Sequence, residues 1–185
     1  MKRFFARMKT KGESSPRRPL TQILWSSLGA LVGIYAIGTC GPLIARWCGL
    51  DSASVIGSFG AAAVLVYGAP MAEFSQPRNL LLGNVISAIV GVTAALLLPE
   101  KHQIVLASAI AVSSALLAMH LTRSLHPPGG ATALIAVIGG DAIRGLGYLY
   151  ALFPVLLGAV ILLAVGLVVN NLSQDPARHY PRSWF

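Results

Sequence analysis

Two stretches of this chain combine residue types that could hold a small anion: Gln76-Pro77-Arg78-Asn79 and His126-Pro127-Pro128-Gly129-Gly130-Ala131-Thr132. Arg78, with Asn79 next to it, offers a planar fork of N–H donors matched to an oxyanion such as nitrite, nitrate or a carboxylate. The same arginine could instead lie at a membrane interface, against Glu73 or lipid headgroups. His126 can donate to an anion or exchange a proton near neutrality; equally, it can cap a neighbouring carbonyl. Pro127 and Pro128 lack N–H donors and bias the preceding backbone toward extended conformations. Gly129 and Gly130 allow close backbone approach. A short helix is expected over Ala131–Ile138, and its start at Gly129, Gly130 and Ala131 would present unpaired N–H groups and the positive end of the helix dipole. Thr132 adds a hydroxyl. The plainer alternative is a Pro-Gly loop between two ordinary helices.

A similar break lies earlier. Ser58 and the glycines around it precede a short apolar run, Ala61 to Tyr67. Gly60-Ala61-Ala62-Ala63-Val64-Leu65 and Gly130-Ala131-Thr132-Ala133-Leu134-Ile135 are seventy residues apart and occupy equivalent places. Ser58, Gly60 and Ala61 are therefore candidate anion contacts alongside Arg78, Asn79, His126, Gly129, Gly130, Ala131 and Thr132.

The elements that would carry these groups are membrane helices. The chain has 185 residues, 55% hydrophobic and 11% charged, with a mean hydropathy of +0.71; soluble domains carry about 25% charged residues. Charges cut it into six uncharged segments: 19–45, 52–72, 79–99, 102–122, 124–140 and 145–174. A spanning helix needs about 20 apolar residues, so the first, third, fourth and sixth are full spans, and the second and fifth are short and broken. The fold expected is an all-α, polytopic transmembrane bundle of four long spans plus two short broken helices. The order long, broken, long occurs twice, over 20–98 and 102–171, which suggests an inverted repeat of three elements plus three. In such a pair the two short-helix N-termini would approach the midplane from opposite sides and aim at one point. Whether the short segments cross or re-enter is left open.

The net charge of +8 is concentrated at the ends. Residues 1–18 form a basic arm, 19–174 the membrane domain, and 175–185 a tail that carries Arg178 and Arg182. Basic flanks of this kind place both termini in the cytoplasm, and they argue for lipid rather than nucleic acid as the partner. Within the spans, Gly29 and Gly33 offer one small-residue face and Ala107, Ala111 and Ala115 another. Asn84 and Asn170 are expected to bond helix to helix. Pro154 should kink the last span near Tyr150, and Trp47 is a candidate interfacial anchor. Cys40 and Cys48 have no metal or disulfide pattern, and the four histidines are scattered, so neither a cofactor nor a metal is expected. Paired carboxylates, a phosphate-cradling Gly-Lys-Ser/Thr run and a His-Glu-x-x-His are all missing, so the chain is not read as an enzyme. The spans contain no acidic residue of the sort that proton- or sodium-coupled porters use. That favours a facilitative anion route, or coupling through His126.

SFGAAAVLVYGAP, QPRNLLLGNVISAIVG, HPPGGATALIAV and the ending NNL…YPRSWF resemble the HPP family of integral membrane proteins. The resemblance covers the chain from the first span onward, and the His126–Leu134 and Gln76–Asn79 strings are its specific parts. It implies a small multi-span protein, often described with four spans, with some plastid and cyanobacterial members linked to nitrite transport. The start is not Ser-rich like a plastid transit peptide, which favours a bacterial inner (plasma) membrane. The function expected is a transporter or channel for nitrite or a similar small monovalent anion. The alternative is a non-transporting scaffold or sensor subunit. A small inorganic anion and the lipid bilayer are the expected partners, with a homo-oligomer left open and no nucleic acid.

Overall fold

A computed structural model describes Arg7, residues 17–47 and residues 57–185. Most of the basic arm and Cys48, together with the side chain of Trp47, lie outside the described residues. Every regular element among them is helical. Helix α1 is Leu20–Trp47 and α2 is Gly57–Gly68. A wide π turn, Asn79–Gly83, leads into α3, Asn84–Leu97. Helix α4 is Ile104–Leu121, α5 Pro127–Ile138 and α6 Gly140–Leu146. A second π turn, Ala151–Leu156, opens α7, Leu157–Leu172.

Four helical stretches are long and apolar enough to cross a membrane: Leu20–Leu43, Asn79–Leu97, Lys101–Leu121 and Ala151–Leu172. They coincide with the four long spans expected. Helices α5 and α6 form a fifth candidate, bent by 102° at Gly139–Gly140. Gly140 has a φ of +75°, which glycine adopts without a steric cost. The Gly139–Arg144 stretch is therefore the bend and the start of a short helix. Helix α2 is a shorter apolar helix of 12 residues.

Each short helix packs lengthwise against the long ones. In α2, Phe59 packs against Gly158 near the start of α7, while the Tyr67 carbonyl meets Arg178 beyond its end. In α5, His126 lies against Gly83 at the start of α3 and Ala136 lies against Gly91 farther along it.

Close packing rests on small residues. Gly29 and Gly33 of α1 both receive the ring of Tyr67 from α2. Ala107, Ala111 and Ala115 are fully buried in a cluster with Ala94, Ala133 and Val137, where α3, α4 and α5 meet. In lipid, where apolar burial gives helices no advantage over lipid tails, such close approach is a main source of association. The expected kink is present: Phe153, just before Pro154, has non-helical φ/ψ of −130° and 116°. Asn84 and Asn170 are both buried and both bond across helices, accepting from Thr132 and donating to Val66 O respectively.

The tail is part of the fold. Arg178 is 1% exposed, although a basic flank is ordinarily solvated. Its guanidinium donates to Tyr67 O and Asn170 Oδ1, both at 2.8 Å, to Ser26 Oγ at 3.1 Å and to Gln22 O at 3.3 Å. One side chain thereby ties α1, α2 and α7 together. Tyr180 donates to Ser75 O at 2.7 Å, and burial raises its phenol well above the usual range.

Candidate functional site

The two strings that could hold an anion are joined in space. Arg78 donates to Thr122 O at 2.7 Å, and Asn79 donates to Leu125 O at 2.8 Å. Both acceptors belong to the loop that leads from α4 into α5. In return, the His126 imidazole bonds Phe74 O through Nδ1 at 2.7 Å. A carbonyl can only accept, so Nδ1 carries the proton. Two loops thus clasp each other through three side-chain-to-carbonyl bonds.

Glycine makes the clasp possible. A Cβ at Gly83 would sit 2.5 Å from Ser124 O and 2.6 Å from His126 Cβ. A Cβ at Gly129 would sit 2.6 Å from Ser87 Oγ and 3.0 Å from Gly83 O. The π turn at Asn79–Gly83 widens the backbone here, as such turns often do at functional sites. Arg123 has a φ of 53°, a region sparsely populated by side chains other than glycine. It is held there between Thr122 and Ser124, whose hydroxyls are 2.7 Å apart.

Three expectations about the site are corrected. First, α5 begins at Pro127 rather than Ala131, with both prolines in its first turn, where a missing N–H costs nothing. Second, its N-terminus is not bare. The prolines have no N–H to offer, and the Gly129 N–H donates to His126 O at 2.8 Å. Gly129, Gly130 and Ala131 therefore do not form a cradle of free donors. Third, the N-termini of α2 and α5 do not converge. Gly57 lies against Ile135, near the C-terminal end of α5, so the two helices run antiparallel with their starts at opposite ends. Gly60 and Ala61 are exposed on the outside of the bundle, and Ser58 is buried at that far end with no partner for its hydroxyl among the described residues. Thr132 is also committed to structure: its hydroxyl donates to Asn84 Oδ1 at 2.8 Å and its carbonyl accepts from Tyr150 at 3.1 Å.

What the clasp does gather is positive charge. A pocket of about 410 Å³ opens beside it, with Arg78, Arg123 and Arg182 in its lining and Glu73 as the acidic member. Three separate segments supply the three guanidiniums. The tail residue Arg182 is positioned by Gln76, whose Oε1 accepts from the main-chain N–H of Arg182 at 2.8 Å and of Ser183 at 3.2 Å. The Gln76 amide in turn donates to Pro70 O and Ala72 O. Just inside the clasp, His126 Nε2 and Ser87 Oγ are buried without a hydrogen-bond partner among the described residues. Of the ten sequence candidates, Arg78, Asn79, His126 and Gly129 meet here. Gln76, Arg123, Arg182 and Ser87 join them; none of the four was among the ten candidates, although Gln76 belongs to the specific QPRN string.

A family profile described as HPP, transmembrane region, matches residues 15–181. Two Dictyostelium discoideum proteins described as transmembrane proteins are each 40% identical to the chain. One matches over 176 residues, 94% of this chain and 55% of its own length; the other matches over 184 residues, 96% and 62%. The chain thus spans little more than half the length of these curated relatives. No solved structure matches it.

Proposed function

The chain belongs to the HPP family of transmembrane proteins, and from that premise we propose that it is a transporter or channel for nitrite or a similar small monovalent anion. The observation that carries this reading is the pocket beside the clasp, whose lining holds three arginines, Arg78, Arg123 and Arg182, against one carboxylate, Glu73. Guanidinium forks suit planar oxyanions, and an excess of positive charge at the mouth of a path concentrates anions before they desolvate. In this reading the pocket is the vestibule. His126 Nε2 and Ser87 Oγ are the first polar atoms inside it. In this reading the two short helices each carry the chain across, which would make the second three elements the inverse of the first, an arrangement suited to alternating access. The start of α1 and the tail lie at one end of the bundle, joined by Arg178, consistent with both termini in the cytoplasm.

The test is nitrite flux into proteoliposomes, with and without a pH gradient. Arg182→Gln removes a guanidinium but keeps the main-chain N–H that Gln76 holds. It should lower flux roughly fivefold, the scale of one partly screened charge of about 1 kcal/mol. Lys101→Gln, on the Lys101–Gln103 turn ahead of α4, should leave flux unchanged. Equal flux in the two variants would remove the pocket from the path. Folded protein that moves neither nitrite, nitrate, chloride nor formate would end the transport reading.

A further inference from the structure

The Asn79–Leu97 span and α5 meet along a line of small residues. Gly83 faces His126, Ser87 faces Gly129, and Gly91 faces Ala133 and Ala136. With Ala95, the positions on the span lie four apart, so they share one face of it. A Cβ at Gly91 would sit 2.5 Å from Ala133 O and 2.7 Å from Ala133 Cα. Backbone therefore touches backbone there, and no ion passes between the two helices at that level. The arginine pocket, with Asn79 in its lining, stands where this span begins.

The far end of the same seam opens again. A pocket of about 190 Å³ is bounded by Val92, Ala95 and Leu96 of α3, Ala136 of α5, and Ile143 and Arg144 of α6. Val92, Ala136 and Ile143 are buried, so three packed helices supply its walls. Arg144 is the one charged side chain in its lining among the described residues. The 102° bend at Gly139–Gly140 turns α6 out of line with α5 and sets Arg144 at this end. Its Nε donates to Val137 O at 3.1 Å, which fixes the guanidinium. No acceptor among the described residues takes either of its terminal amino groups. Asn79 and Ala95 are sixteen residues apart, about 24 Å at 1.5 Å per residue, against a hydrocarbon core of about 30 Å. Two basic pockets thus stand at opposite ends of one span, with a closed contact between them.

We infer that the Arg144 pocket is a second site for the same small oxyanion, at the opposite mouth of the route, with Gly91 and Ala133 as the point of closure. The inference rests on the transport reading and adds Arg144 to its binding residues. A guanidinium among otherwise apolar side chains is weakly screened by water, and its two free amino groups present a fork to a planar oxyanion. The volume lies below the roughly 300–1,000 Å³ of pockets that take drug-sized ligands, which suits nitrite or nitrate and not a large organic anion.

The test reads binding apart from flux. Ala95→Cys, in the full chain with Cys40→Ser and Cys48→Ser, puts a thiol in the pocket wall. Its labelling by N-ethylmaleimide is timed in detergent with and without nitrite. Nitrite at roughly ten times its Kd should slow labelling about tenfold. Arg144→Gln should abolish that protection, Arg144→Lys should keep part of it, and Arg182→Gln should leave it intact. A merely structural Arg144 would change the labelling rate equally with and without nitrite. In proteoliposomes Arg144→Gln should lower nitrite flux about fivefold. Leu96→Cys, on the more exposed side of the lining, serves if Ala95→Cys does not fold. A thiol that never labels, labelling indifferent to nitrite, protection that survives Arg144→Gln, or unchanged flux in that variant would each overturn the inference. Protection in a chain that moves no nitrite would uphold the Arg144 site and end the transport reading, so the two failures are told apart.

Discussion

Thr132 gives its hydroxyl hydrogen to Asn84 Oδ1 at 2.8 Å, joining α5 to α3 inside the bundle. Asn84 spends its own amide on Leu80 O at 2.8 Å. A hydroxyl committed in this way is structural, which predicts the behaviour of Thr132→Val. Interhelical bonds in membrane proteins are worth about 0.6 kcal/mol on average and up to about 1.7. The variant should lose stability on that scale and keep its anion flux. Flux lost without a change in thermal stability would return Thr132 to the path.

The glycines separate by what surrounds them. Gly83→Ala would force a Cβ to within 2.5 Å of Ser124 O and 2.6 Å of His126 Cβ, opening the clasp at an overpacking cost of about 1–3 kcal/mol. Gly60→Ala meets nothing within 4 Å and should gain about 0.5–1 kcal/mol of helix propensity. Thermal unfolding in one detergent ranks them, and a Gly83→Ala chain as stable as Gly60→Ala would contradict the packing described.

Arg178 is tested by Arg178→Met, which keeps the apolar bulk and removes the donors. Tyr67 O and Asn170 Oδ1 then lose a buried donor, and Gln22 O and Ser26 Oγ lose a part-buried one. Each buried acceptor left unsatisfied costs about 1–3 kcal/mol, so the variant should be hard to recover folded. Recovery at the normal yield and melting temperature would show that the tail is not integral to the bundle.

Acidification should loosen the tail. The Ala177 N–H and the Gln22 amide hold the Asp175 carboxyl below its usual range. A carboxyl depressed in the folded state stabilises it above the unfolded value of about 3.9, and the contribution is lost as pH falls through the lower, folded value. Trp184 fluorescence or proteolysis within the tail should therefore change below about pH 4. Asp175→Asn should remove that pH dependence; a profile identical to that of the unaltered chain would reject Asp175 as its source.

The spans were legible because charge is excluded from lipid, so uncharged runs of sufficient length declare themselves. Gly29, Gly33 and the Ala107–Ala115 stripe were legible for the same local reason, since close helix approach needs small side chains. Arg178 was not, because a basic residue beyond the last span has the composition of a solvated flank, and its burial depends on carbonyls supplied by Tyr67 and Gln22 far away in sequence. The start of α5 was misplaced because two prolines were taken to stop a helix, whereas in a first turn they suit it. That choice also supplied the supposed free donors at Gly129–Ala131. The convergence of Ser58 with Gly129 failed on direction: two antiparallel neighbours of 12 residues each put their starts about 18 Å apart, at 1.5 Å per residue. Arg78, Asn79 and His126 were found by type, but their joint role as a clasp could be read only once Thr122, Leu125 and Phe74 stood beside them.

The clasp grips atoms that every amino acid possesses. Its three acceptors are the main-chain oxygens of Thr122, Leu125 and Phe74, whereas its donors are specific side chains and its clearance is the bare Cα of Gly83. Tolerance to mutation is therefore lopsided across one contact. A randomised library at positions 74 and 125 should return many functional clones, while one at 78, 79 and 83 should return few, so the chain can vary on one side of the joint without its partner changing in step.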